Sequence, residues 1–78
     1  MSRAEQHKAD IQFMKECVIS GVIKLIIEES GLNIEDAMHR FYTSETFAKL
    51  DNEQTKLYTQ SPLYLYDMLT SENSSVEL

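Results

Sequence analysis

Cysteine and proline occur once each in this chain, glycine twice and tryptophan not at all, and each scarcity closes off a class of protein. A single thiol, Cys17, cannot form an intrachain disulfide. A reducing compartment suits such a chain, and a small core position is the default place for the residue. Two glycines cannot build a phosphate-cradling loop. His7, His39 and Cys17 are the soft-metal candidates, and they lie far apart without ligand-like spacing, so no zinc site is expected. Bases are also scarce, 7 against 13 acids, for a formal charge of -6. Phosphate backbones are repelled by such a surface, so direct nucleic-acid binding is not expected; a basic protein partner, or plain solubility, fits instead. Lys15, Glu16 and Lys24 break up the one apolar region, leaving it short of the roughly 20 apolar residues a membrane span needs. The stretch from Ser2 to Asp10 is polar and lacks the apolar run of a signal peptide, which points to the cytoplasm.

What the chain does have is the apolar region itself, Ile11 to Ile27. At about 100° per residue, Ile11, Met14, Val18, Val22 and Leu25 share one side of a helix, while Ile19, Ile23 and Ile27 spread across the other. A helix apolar nearly all round is normally central, enclosed by its own chain or by a second copy. Val18 to Ile27 is rich in β-branched residues, so a buried strand pair bending at Ser20-Gly21 is the alternative. The continuous pattern from Arg3 to Gly31 is too long for a usual strand and favours the helix.

Local signals divide the remainder. The first helix starts between Ser2, a possible cap, and Ala9, and ends near Ser30, where Gly31 can adopt the left-handed conformation; Leu32 packs back on its last turn. Asn33 caps a second helix from Ile34, with Asp36 in the position of a capping-box acid. Its apolar face is Ile34, Ala37, Met38 and Phe41. Thr43 or Ser44 caps a short third helix, Glu45 to Leu50, which turns Phe47 and Leu50 inward. Asp51-Asn52 interrupts, and a helical turn from Glu53 to Tyr58 offers Leu57 and Tyr58. Ser61-Pro62 is the clearest boundary, a capping hydroxyl followed by proline at the first helical position. The last helix runs to about Ser71 with Leu65, Met68 and Leu69 inward, and a polar, flexible tail covers residues 73–78.

Residues able to do chemistry are few. Asp36 and His39 stand one helical turn apart, as in di-metal helical bundles, but those bundles need two such pairs and two more carboxylates, which only a dimer could supply. The plainer reading makes Asp36 a capping residue and His39 a surface one. Cys17, flanked by Glu16, Val18 and Ile19, has neither a base nor an electropositive setting. A helix-turn-helix reading of the second and third helices offers DNA only Lys49, with Glu45 beside it. Tyr42 and Tyr58 read as core. Tyr64 and Tyr66, two positions apart on one helix, cannot both point inward, so at least one is left for solvent, a loop or a partner.

The segments Phe41-Tyr42-Thr43-Ser44-Glu45-Thr46-Phe47, Leu50-Asp51, Thr55-Lys56-Leu57-Tyr58 and Ser61-Pro62-Leu63-Tyr64-Leu65-Tyr66-Asp67-Met68-Leu69 together resemble a family of short uncharacterised bacterial proteins of gut anaerobes and Firmicutes. The likeness spans roughly residues 30 to 70 and is most specific at Leu57-Tyr58 and Ser61-Pro62. The family carries no enzymatic activity to transfer. Related small domains are similar to the smaller partner encoded beside ADP-ribosyltransferase-like toxins, which implies an antitoxin-like or regulatory role. The same hydroxyls, Ser44, Thr46, Thr55 and Ser61, also read simply as caps and turns.

These readings converge on one all-α domain over residues 1–72, a long central N-terminal helix with three to four shorter helices packed on it, paired as a homodimer. The expected function is a non-catalytic protein-interaction module, in the role of an antitoxin-like or regulatory partner of a bacterial toxin-like enzyme, without catalytic residues, metal or cofactor. Val18, Val22, Ile23, Ile26, Ile27, Tyr64 and Tyr66 are its expected contacts. The alternative is a metal-binding or enzymatic helical dimer built on Asp36 and His39.

Overall fold

The computed structural model describes residues 3–76, and side chains from 9 to 72. The expected Ser2 cap, the His7 side chain and residues 77–78 lie outside the described residues, as do all side chains of the expected tail. The order of elements is α1 (Arg3–Ser30), α2 (Ile34–Tyr42), α3 (Glu45–Asp51), two 3₁₀ turns (Glu53–Thr55 and Leu57–Thr59) and α4 (Pro62–Val76). No strand occurs among the described residues. Val18 to Ile27 is therefore helical, not a bent strand pair. Burial of a helical stripe outweighs the strand preference of its β-branched side chains.

α1 has 28 residues, about 42 Å at 1.5 Å per residue, and accounts for most of the molecule's 46 Å long axis. Among its described side chains those buried are Ile11, Lys15, Val18, Val22, Ile23 and Ile26. All but Ile23 follow a 4-3-4-4 spacing that keeps them on one side. This corrects the expected face. Lys15 belongs to it, whereas Met14 is exposed and Leu25 half-buried. It also corrects the expected enclosure, because the opposite side, including Phe13, Cys17 and Lys24, faces solvent. Cys17 is not a core residue; five positions before Val22, it lies roughly 140° around the helix from the buried stripe.

Lys15 sits in the core-facing stripe because its charge has a partner. Its amino group donates to the Asp51 carbonyl at 3.0 Å and lies 3.8 Å from the Asp51 carboxylate and 3.7 Å from that of Glu53. The acceptor is in the last turn of α3, where a cation complements the unpaired carbonyls and the helix dipole.

The caps follow the local sequence. Gly31 has φ +73° and donates to the Ile27 carbonyl at 2.9 Å. Asn33 Oδ1 accepts from the Asp36 N–H at 2.8 Å, Ser44 Oγ from the Phe47 N–H at 3.1 Å, and Ser61 Oγ from the Tyr64 N–H at 3.2 Å. The turn expected from Glu53 to Tyr58 is instead split in two. Lys56 adopts φ +56° between the 3₁₀ turns, where the chain closes one turn and opens the next. α4 continues past Ser71 to Val76, since nothing between them acts as a glycine or proline stop.

The core consists of Val18, Val22, Ile23 and Ile26 of α1, Ala37 and Phe41 of α2, Leu50 of α3, and Leu65 and Leu69 of α4. Leu57, Tyr58 and Tyr66 pack on its margin, and Met68 is half-buried. Full burial of a Phe, Ile or Leu contributes about 1.5–3 kcal/mol relative to exposure, so this one cluster supplies most of what holds four helices together. Among the described residues no helix is long and apolar enough to cross a membrane.

Candidate functional site

Gly31–Asn33 is a short link, so α2 folds back beside α1. The two helices leave an open groove of about 470 Å³ between them. Its walls are Ile19, Ile23 and Ile27 from α1 and Ile34, Met38 and Tyr42 from α2, with Ser20, Lys24 and Glu28 along the rim. Both apolar rows repeat every four residues, the spacing that makes a continuous ridge along a helix. Ile34, Met38 and Tyr42 are 60%, 39% and 42% exposed. These large side chains line a cleft that the chain does not fill.

The expected inward face of α2 is thus divided. Ala37 and Phe41 enter the core, while Ile34 and Met38 do not. Three residues link α1 to α2, and this fixes α2 to one flank of α1 without rotating its whole apolar face inward. Tyr42, expected in the core, closes one end of the groove. Its ring stands edge-on to Phe47 with centroids 4.8 Å apart, and Phe47 stands edge-on to the buried Phe41 at 5.5 Å. Such ring pairs contribute about 0.5–1.5 kcal/mol beyond burial, so this end of the groove is held in shape.

Of the expected contact residues, Val18, Val22, Ile23 and Ile26 face the chain's own core. Folding uses these side chains, and Ile23 alone among them also reaches the groove. Ile27 lines it. Tyr64 is half-exposed beside the equally exposed Leu63, whereas Tyr66 packs partly against the core. Sequence reasoning missed Ile19, Ile34, Met38 and Tyr42 as surface residues. The matching four-residue repeats in α1 and α2 are the signal that brings them together.

The structure keeps Asp36 and His39 on the exposed side of α2, and the Asp36 backbone is engaged by the Asn33 cap. Among the described residues no three His, Cys, Asp or Glu side chains gather where they could hold a metal ion.

One carboxylate outside the groove has an unexpected task. Glu72 of α4 accepts from the Glu45 N–H at 3.2 Å, the Thr46 N–H at 2.9 Å and the Thr46 hydroxyl at 3.3 Å. It covers the unpaired donors of the first turn of α3 from another helix and explains why Thr46 can be buried. Comparison with protein-family models, with curated proteins and with solved structures finds no match for this chain.

Proposed function

We propose that this chain is a non-catalytic protein-interaction module whose main contact surface is the α1/α2 groove. The observation that carries the reading is the pair of uncovered apolar rows, Ile19-Ile23-Ile27 and Ile34-Met38-Tyr42. Exposed apolar patches of this kind mark contact sites, and a cleft between two helices accepts another helix through interdigitating ridges. A groove open to solvent suits a protein surface better than a small molecule, which ligand sites bury on most sides.

Leu63 and Tyr64 at the start of α4 form a second exposed apolar site. Within the regulatory role that the family resemblance implies, they are the contact for a partner enzyme. The acidic surface favours a basic one. The metal-binding alternative is less supported, because Asp36 and His39 lie on the exposed side of α2 outside the groove, and among the described residues no third ligating side chain gathers with them.

The test is a photo-crosslinking residue placed in the full chain at Met38, and in a control at the exposed Gln60, expressed in the cells the protein comes from. Protein adducts at Met38 and none at Gln60 are expected. If Ile34, Met38 and Tyr42 all give no adduct, the groove is not a protein contact surface.

A further inference from the structure

We infer that the occupant of the groove is the same groove of a second copy of this chain, in a two-fold symmetric dimer. The inference rests on the reading of the groove as a protein contact surface and identifies what fills it.

Charge argues for a second copy. The chain carries a formal charge of -6, so two copies repel over most of their surface. The groove is the exception. Its only charged lining residues are Lys24 and Glu28, one helical turn apart on the same rim. A two-fold axis brings a residue i of one copy to a residue j of the other and j to i. With the axis passing between these positions, Lys24 meets Glu28 of the partner subunit on both sides. A groove built for a basic partner would carry an excess of acid; this one is neutral and complementary to itself.

Shape argues the same way. Two helices joined by a short link form a flat layer, and two such layers facing each other are the arrangement of a four-helix bundle, in which ridges from each side fill the cleft of the other.

The experiment is sedimentation equilibrium of the purified full chain, with helicity checked by circular dichroism. The variants are Met38→Asp, Lys24→Glu, Glu28→Lys and an equimolar mixture of the last two. All three positions are solvent-exposed, so every variant should remain folded. The expected wild type is a dimer, Met38→Asp is a monomer, and each rim variant alone dimerises roughly tenfold more weakly because like charges then face each other. In the mixture one chain carries two acids on the rim and the other two bases, so every facing pair is opposite, and heterodimers should regain the wild-type affinity.

A folded wild type that stays monomeric overturns the inference. So does a dimer that neither Met38→Asp nor the rim variants weaken, since its interface then lies elsewhere. Failure of the underlying reading looks different. A monomeric chain that still gives adducts at Met38 to another polypeptide keeps the groove as a contact surface and loses only the second copy, whereas a monomeric chain without adducts loses both.

Discussion

Gly21, in the middle of α1, faces Pro62, the first residue of α4, so closely that a Cβ built on the glycine would lie 2.6 Å from the proline Cβ and closer still to its Cγ. Glycine inside a helix costs about 1 kcal/mol relative to alanine, and here it secures the approach of α4 to the core-facing side of α1. Gly21→Ala therefore reverses the usual sign. Alanine at an exposed helical site would stabilise by about 1 kcal/mol; at this site the clash should outweigh that gain and leave a net loss of about 1–3 kcal/mol. Urea unfolding followed by circular dichroism measures it. Pairing Gly21→Ala with Pro62→Ala should recover part of the loss, a coupling that a double-mutant cycle reads directly. A stabilised Gly21→Ala single variant would show that the two helices do not meet here.

Glu72→Gln tests the contact between α3 and α4. The carboxylate serves two backbone donors and the Thr46 hydroxyl, and bonds to a charged acceptor are the stronger kind. The amide keeps the shape but loses the charge that complements the N-terminus of α3. A loss of about 1–2 kcal/mol is expected. Glu72→Ala, which also leaves the buried donors of Thr46 unpaired, should cost more. Because Ser44 caps a different donor of the same helix, the Phe47 N–H, the losses of Ser44→Ala and Glu72→Gln should add, and a double loss well above their sum would show that either cap alone can hold the turn. Equilibrium unfolding of the three variants distinguishes these cases.

The parts of this fold legible in the sequence are those whose cause is local. Gly31, Asn33, Ser44 and the Ser61-Pro62 pair each act on the backbone within a few residues, and each boundary lies where its residue type requires. Illegible were the contacts between residues distant along the chain. The approach of Gly21 to Pro62 and the capping of α3 by Glu72 depend on where α4 crosses, and no spacing encodes that. The groove lies between these extremes. Its rows Ile19-Ile23-Ile27 and Ile34-Met38-Tyr42 are visible as repeats, but the same repeats serve a core as well as a surface. Only the three-residue link and the burial of Ala37 and Phe41 decide which apolar positions remain uncovered.

Lys15 shows how a charge can occupy a core-facing position. Its side chain is 8% exposed, while the Asp51 and Glu53 carboxylates are 70% and 56% exposed. The ion pairs are long and reach into solvent, so the hydrogen bond to the Asp51 carbonyl is the main partner. Lys15→Met keeps the apolar stem and removes the buried charge, so its cost should stay below about 1.5 kcal/mol. Lys15→Ala loses the stem as well and should cost about 2–3 kcal/mol. Lys15→Glu sets a carboxylate against a carbonyl and two acids and should be the worst of the three. Thermal unfolding ranks them, and a Lys15→Ala variant as stable as wild type would place this side chain outside the core.

Val22 and Ile34 separate folding from contact. Val22 is fully buried among side chains from α1, α2, α3 and α4. Val22→Asp puts a carboxylate into this cluster of apolar side chains, and an unpaired buried charge costs several kcal/mol. A domain of this length has roughly 4–12 kcal/mol of stability to lose. Val22→Asp should therefore abolish the helical circular dichroism signal or leave a partly unfolded chain at 25 °C. Ile34 lines the groove and is mostly exposed, so Ile34→Asp should leave the unfolding free energy of the isolated chain within about 1 kcal/mol while weakening whatever the groove binds. If Val22→Asp stays folded, the core is misplaced. If Ile34→Asp unfolds the chain at concentrations where the wild type is folded, folding and association are coupled, and the groove is then part of what holds the protein together.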